Sequence, residues 1–156
     1  MKKIGEYTAR GVVTEGETES GTPQLISLND GSFTTAYRVV GFRIWGSSYD
    51  SSSTPDCIGK LSKNELGVTS AANFMRADDD NQIAWAASAG SGDGGLGFAE
   101  QPVIDKDNLI IEDLYVYVRS TTGTTGNPIN YIVEMEKYEI TDWQGALTMA
   151  RDKAQG

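Results

Sequence analysis

The chain has 156 residues, with 13 Lys and Arg against 22 Asp and Glu, no His and one Cys, and a net charge of −9. Without histidine there is no Ser-His-Asp or Cys-His catalysis, no His-built metal site and no ordinary general base near neutral pH. One cysteine excludes an internal disulfide and any cysteine-built zinc or iron–sulfur centre, and the acidic balance argues against a chain that grips phosphates.

The length suits a single domain spanning residues 1–156. Leu, Ile, Val and Phe total 32 residues, close to the roughly 20 % floor below which charged chains stay disordered. Seven Tyr and three Trp supplement them with large buried areas and polar tips. The expectation is one modest core with long, wet loops.

Short β-branched and aromatic runs alternate with Gly, Ser, Thr and Asp clusters, the spacing of a sandwich or barrel rather than of βαβ units. After Met1-Lys2-Lys3, Glu6 and Arg10 interrupt what would be the apolar region of a signal peptide, so none is expected. No apolar run approaches the ~20 residues needed to span a bilayer. The first strand is expected over Ile4–Val13, followed by a polar loop over Thr14–Thr22. Leu25–Leu28 reads as a short strand ending at Asn29-Asp30-Gly31, a turn signal that tolerates positive φ.

Ser32–Trp45 reads as a long strand region. Strict alternation would put Tyr37, Val39 and Trp45 on one face and Val40, Phe42 and Ile44 on the other, with a bulge or bend expected near Gly41. Gly46–Pro55 is a low-complexity loop that leads to Cys57 in a polar, loop-like stretch, and Thr69–Met75 has the pattern of a short helix. Ile83–Ala87 is short and bounded by turn residues, which favours strand over helix. Leu109–Arg119 alternates clearly, with Leu114, Val116 and Val118 opposite Tyr115, Tyr117 and Arg119. Tyr131–Ile140 is expected to return as its hairpin partner after a loop over Ser120–Asn130, with a bulge or a change of sheet near Glu136. Thr141-Asp142-Trp143-Gln144 fits a capping box, and Trp143, Leu147 and Ala150 recur along one side of a short terminal helix over residues 141–154.

Few residues point to chemistry. Gly90-Ser91-Gly92-Asp93-Gly94-Gly95 satisfies the dinucleotide spacing, but no helical pattern follows to meet a pyrophosphate, so it reads as a loop. Asp78-Asp79-Asp80-Asn81 and Asp105-Lys106-Asp107-Asn108 are oxygen-rich and in adjacent loops could share a calcium ion, although solvated turns are the plainer reading. A carboxylate pair for glycoside hydrolysis has no cleft to place it. Trp45, Tyr49 and Trp85 can stack on sugar rings or serve as core and rim packing. Cys57 has no histidine to activate it. The residues thus name no catalytic, cofactor-binding or metal-binding group.

The segments Ile104–Tyr117, Asn130–Tyr138 and Trp143–Leu147 together resemble small virion structural proteins encoded by viruses of marine microbes. That resemblance implies an all-β, antiparallel, jelly-roll-like sandwich with a short C-terminal α-helix. It also implies a non-enzymatic capsid or capsid-decorating subunit in a symmetric homo-oligomer, made in the host cytoplasm and carried in the virion. Its partners would be other capsid subunits, through Trp143 and Leu147 or an edge strand, with no cofactor, membrane or direct nucleic-acid contact. The alternative expectation is a carbohydrate- or receptor-binding module using Trp45, Tyr49, Trp85 and the acidic loops, and a small carboxylate hydrolase stands third.

Overall fold

The computed structural model describes residues 2–14, 23–28, 31, 34–46, 56–66, 73–89, 98–99, 102–120, 128–141, 147–148 and 150–151. Nine strands run along them: β1 (Lys2–Thr14), β2 (Gln24–Ser27), β3 (Thr35–Gly46), β4 (Cys57–Ser62), β5 (Gln82–Ala89), β6 (Phe98–Ala99), β7 (Val103–Ile104), β8 (Asp113–Ser120) and β9 (Pro128–Glu139). They form two antiparallel sheets. The smaller has the order β1-β9-β3; the larger has the order β2-β8-β4-β5-β6, with β7 also on β5.

The pairing is nested along the chain. β1 pairs with β9, β2 with β8 and β4 with β5, while β1, β2, β3 and β4 alternate between sheets. A long antiparallel pair wound over on itself in this way is a jelly-roll sandwich. β6 and β7, of two residues each, are too short for any periodicity to announce them.

β9 illustrates how the sequence makes the sandwich. Ile129, Tyr131, Val133 and Met135 are buried between the sheets, while Asn130, Ile132, Glu134 and Glu136 point outward. Leu114, Val116 and Val118 of β8 meet them from the other sheet, joined by Ile26, Cys57, Leu61, Ile83 and Ala84. The expected face of β8 is therefore the core face, but its expected hairpin with β9 does not form. The two strands lie in different sheets, and β8 pairs with β2 and β4. Alternation reports which face of a strand is buried and carries no information on its partner. The seven residues between β8 and β9 are also more than enough to bridge sheets roughly 10 Å apart.

A bulge revises the faces of β3. Its register against β9 shifts between Val39 and Gly41, where Val40 is the extra residue. Tyr37, Val39, Phe42 and Ile44 consequently share the buried face, with Val40 and Trp45 on the outside. The pairs Tyr37 and Val39, and Phe42 and Ile44, which strict alternation separates, thus fall on one face, because an extra residue reverses the alternation beyond it. Near Glu136 the ladder of β9 stays continuous and the irregularities belong to its partners, at Val40 of β3 and Ile4 of β1. The outward apolar signal at the end of β9 has its own explanation: Ile110 bridges to Tyr37 along the edge of β3, and Ile111 packs outside with Ala36 and Ile140.

Other local expectations divide. Gly31 takes a φ of +86°, as its turn signal requires. Cys57 is a buried core residue of β4 rather than a loop thiol. Ile83–Ala87 is strand. Of the short helix expected over Thr69–Met75, only Asn73, in a 3-10 turn, and the bends at Phe74 and Met75 are described. Leu147, Thr148, Ala150 and Arg151 are helical; Trp143 and the capping box beyond Thr141 lie outside the described residues, as do Tyr49 and the Gly90–Gly95 run.

Candidate functional site

The outer faces of the two sheets carry the exposed chemistry. On the larger sheet, cross-strand pairing sets Tyr117, Lys60 and Trp85 in one row. The segment after β4 folds over this row and buries Phe74 upon it. Lys60 Nζ donates a 2.6 Å hydrogen bond to the carbonyl of Phe74 and lies 4.1 Å from the centre of its ring, with the Tyr117 ring at 5.4 Å. The Tyr117 hydroxyl accepts from the amide of Leu66 and donates to its carbonyl. Burial holds the Lys60 pKa down to about 8, against the opposing pull of Asp79, and burial likewise raises that of Tyr117. A lysine and a tyrosine thus pin the covering segment to the sheet.

At one end of this sheet the two acidic loops meet. Asp79, Asp80, Asp105 and Asp107 line a cleft with Gln82, Trp85, Asn108 and Arg151. The loops are adjacent, as sharing an ion would require, but two of the carboxylates are engaged in shaping their own turns. Asp79 accepts from the amide of Asn81 and from Gln82 Nε2; Asp105 accepts from the amide of Asp107 and from Asn108 Nδ2. Lys63 Nζ donates to Asn108 Oδ1, and the Trp85 indole donates to Gln82 Oε1. These are Asx turns knitted to one another. Among the described residues no group of three or more His, Cys, Asp or Glu is arranged to hold a metal ion. Arg151 brings the terminal helical segment to the cleft, and Leu147, expected to pack or to contact another subunit, is exposed.

The smaller sheet presents a different surface. Val12, Asn130 and Trp45 form one outward row across β1, β9 and β3, and Arg10, Ile132 and Arg43 form the next. Arg10, Val12, Trp45, Asn130 and Ile132 line a shallow concavity of about 370 Å³. Trp45 is 39 % exposed there. Further along, Glu136 accepts a 2.5 Å hydrogen bond from the Tyr138 hydroxyl and an ion pair from Lys3 at 3.4 Å. The first of these, then the second, lowers the Glu136 pKa. Arg38 stacks on the Tyr138 ring at 5.1 Å.

Trp45 and Trp85 therefore occupy separate surfaces on opposite sheets and do not combine into one site. Pairing register places Arg10 beside Trp45, a juxtaposition that its position in the sequence does not signal, whereas Arg43, two residues before Trp45 on β3, shares its face by alternation. No helix among the described residues is long and apolar enough to cross a membrane.

No known protein family and no curated protein matches the chain. Among solved structures, VP1 of Trichodysplasia spinulosa-associated polyomavirus, in complex with GM1 oligosaccharide, is similar with a TM-score of 0.47 and 10 % identity, over 90 % of this chain and 100 % of that chain.

Proposed function

We propose that this chain is a non-enzymatic structural subunit of a virus particle, forming or decorating its shell through contacts with other subunits. The observation that carries the reading is the architecture: a jelly-roll sandwich whose smaller sheet ends in β1, a 13-residue strand with one unpaired edge among the described residues. Apolar side chains stand exposed on that side, Tyr7 and Val12 from β1 and Leu25 from β2. Long open edges of this kind associate unless something covers them. The resemblance of residues 104–147 to virion proteins of marine microbial viruses supports the same reading, as does the engagement of the acidic cleft in turn structure. The subunit would act in the virion after synthesis in the host cytoplasm.

Mass analysis of purified particles tests this. The chain is expected at the copy number of a shell component; its absence, or trace copies only, overturns the reading.

A second reading is favoured by the Trp45 concavity, where one indole face, the Asn130 amide and the Arg10 guanidinium converge on an exposed sheet. Such a set suits a sugar ring bearing a carboxylate, with the indole stacking on the ring and the guanidinium pairing the acid. A glycan array with the unmodified chain and Trp45→Ala checks it. Binding of acidic glycans lost in the variant supports the reading, and uniformly blank arrays remove it.

A further inference from the structure

The exposed edge of β1 has a sequence that complements itself. From Ile4 to Val12 it runs Ile-Gly-Glu-Tyr-Thr-Ala-Arg-Gly-Val, and reading inward from both ends matches Ile with Val, Gly with Gly, Glu with Arg and Tyr with Ala, around Thr8. Register against β9 assigns the faces: Glu6, Thr8, Arg10 and Val12 alternate with Tyr7, Ala9 and Gly11, which lie on the core side opposite Met135, Val133 and Tyr131. Glu6, Thr8, Arg10 and Val12 are all exposed.

We propose that two copies of this chain join β1 to β1 as antiparallel strands about a two-fold axis at Thr8, merging their smaller sheets into one of six strands. Thr8 then faces Thr8 of the second copy. Glu6 faces Arg10 of the second copy and Arg10 faces its Glu6, and Ile4, at the bulge, comes opposite Val12. On the core side, Tyr7 meets the small Ala9 of the second copy, while Gly11 meets Gly5. A two-fold axis makes each match occur twice.

The register is selective. Opposed residues in an antiparallel pair must share a face, so the axis can move only in steps of one residue along the strand. Centring it on Glu6 sets Glu6 against Glu6, and centring it on Arg10 sets Arg10 against Arg10. Centring on Tyr7 or Ala9 leaves both charges without an opposite. Only Thr8 pairs both charges and both exposed aliphatic residues. Glu6 also pairs with Lys3 of its own strand at 3.1 Å, which fits a carboxylate placed between two cations. Of the devices that blunt natural edges, the stretch from Gly5 to Thr14 has no Pro, no Lys and no bulge.

The proposal deepens the subunit reading, and the two fail separately. Sedimentation of the purified chain is expected to show a dimer. Glu6→Arg and Arg10→Glu alone each place like charges opposite one another twice and weaken association by about tenfold or more. The double exchange Glu6→Arg with Arg10→Glu restores it. Thr8→Cys is expected to yield a disulfide-linked dimer on oxidation, since opposed Cα atoms at roughly 4.5–5.5 Å lie within disulfide range. Arg43→Cys, on the outer face of β3, serves as the control and is expected to remain monomeric on denaturing gels. A monomer at high micromolar concentration with no Thr8→Cys cross-link overturns the proposal. So does a dimer indifferent to the charge exchanges. Such a chain found abundantly in particles leaves the subunit reading standing, whereas a cross-linked dimer absent from particles leaves only the interface.

Discussion

Lys60 shows how much one side chain can decide. It sits on a strand between Tyr117 and Trp85, which composition alone would place at a solvated surface. The covering segment makes it one of the largest fully buried side chains. Its proton is held less tightly in the native state, near pKa 8, than at the ordinary 10.5 of an unfolded chain. Between those values the unfolded chain holds more protons, so this group makes stability rise with pH; below pH 8 the whole cost of the buried charge remains. Tyr117 and Tyr131 act in the opposite sense above pH 10, because burial raises their pKa values and the unfolded phenols ionise first. Urea denaturation at pH 8 and pH 10 is expected to show a stability increase in the native chain that Lys60→Met largely removes. An equal slope in both would show that the lysine is solvated. The acidic cleft gives a second test at this scale. With Asp79 and Asp105 engaged in their own turns, millimolar calcium and excess chelator are both expected to leave the melting temperature unchanged. A calcium-dependent rise of several degrees would contradict this.

Along a single strand, Phe42 and Trp45 meet opposite fates three residues apart. Phe42 is fully buried between the sheets, and Trp45 is exposed on the outer face. Phe42→Ala is expected to cost about 3–5 kcal/mol, and Trp45→Ala less than about 1 kcal/mol, measured as shifts in chemical denaturation midpoints. The sequence separates these two by odd spacing and signals a bulge or bend near Gly41, where one occurs, but it does not fix Val40 as the extra residue that places Tyr37 and Val39 with Phe42, because that register is a property of the pair β3–β9. The same limit explains the misplaced hairpin. Leu114, Val116 and Val118 declare a buried face, yet only the other sheet's Ile129, Val133 and Met135 determine what they are buried against. Strand existence at β1, β2, β3, β5, β8 and β9 was legible in local composition and alternation. The Trp45 concavity was legible only as an aromatic, since Arg10, Asn130 and Ile132 reach it through strand order.

Over the whole molecule, charge becomes a statement about position. A net −9 with bases set singly, apart from Lys2-Lys3, repels a packaged genome. If the chain is a shell component, it is expected on the outer side or rim, accessible to antibody or protease on intact particles. A particle map showing it in extensive contact with nucleic acid would refute that placement. One feature of the topology also bears on timing. The smaller sheet has β9, last of the described strands, at its centre, with β1 and β3 on either side. Until residues 128–139 emerge from the ribosome, the first strand has no neighbour among the described strands of its own sheet, and the smaller sheet must wait for long-range closure, a slow route to the native state. The self-matching edge of β1 is therefore shaped only after synthesis of β9, so that association is reserved for finished subunits and chains truncated before Pro128 are expected neither to fold nor to pair.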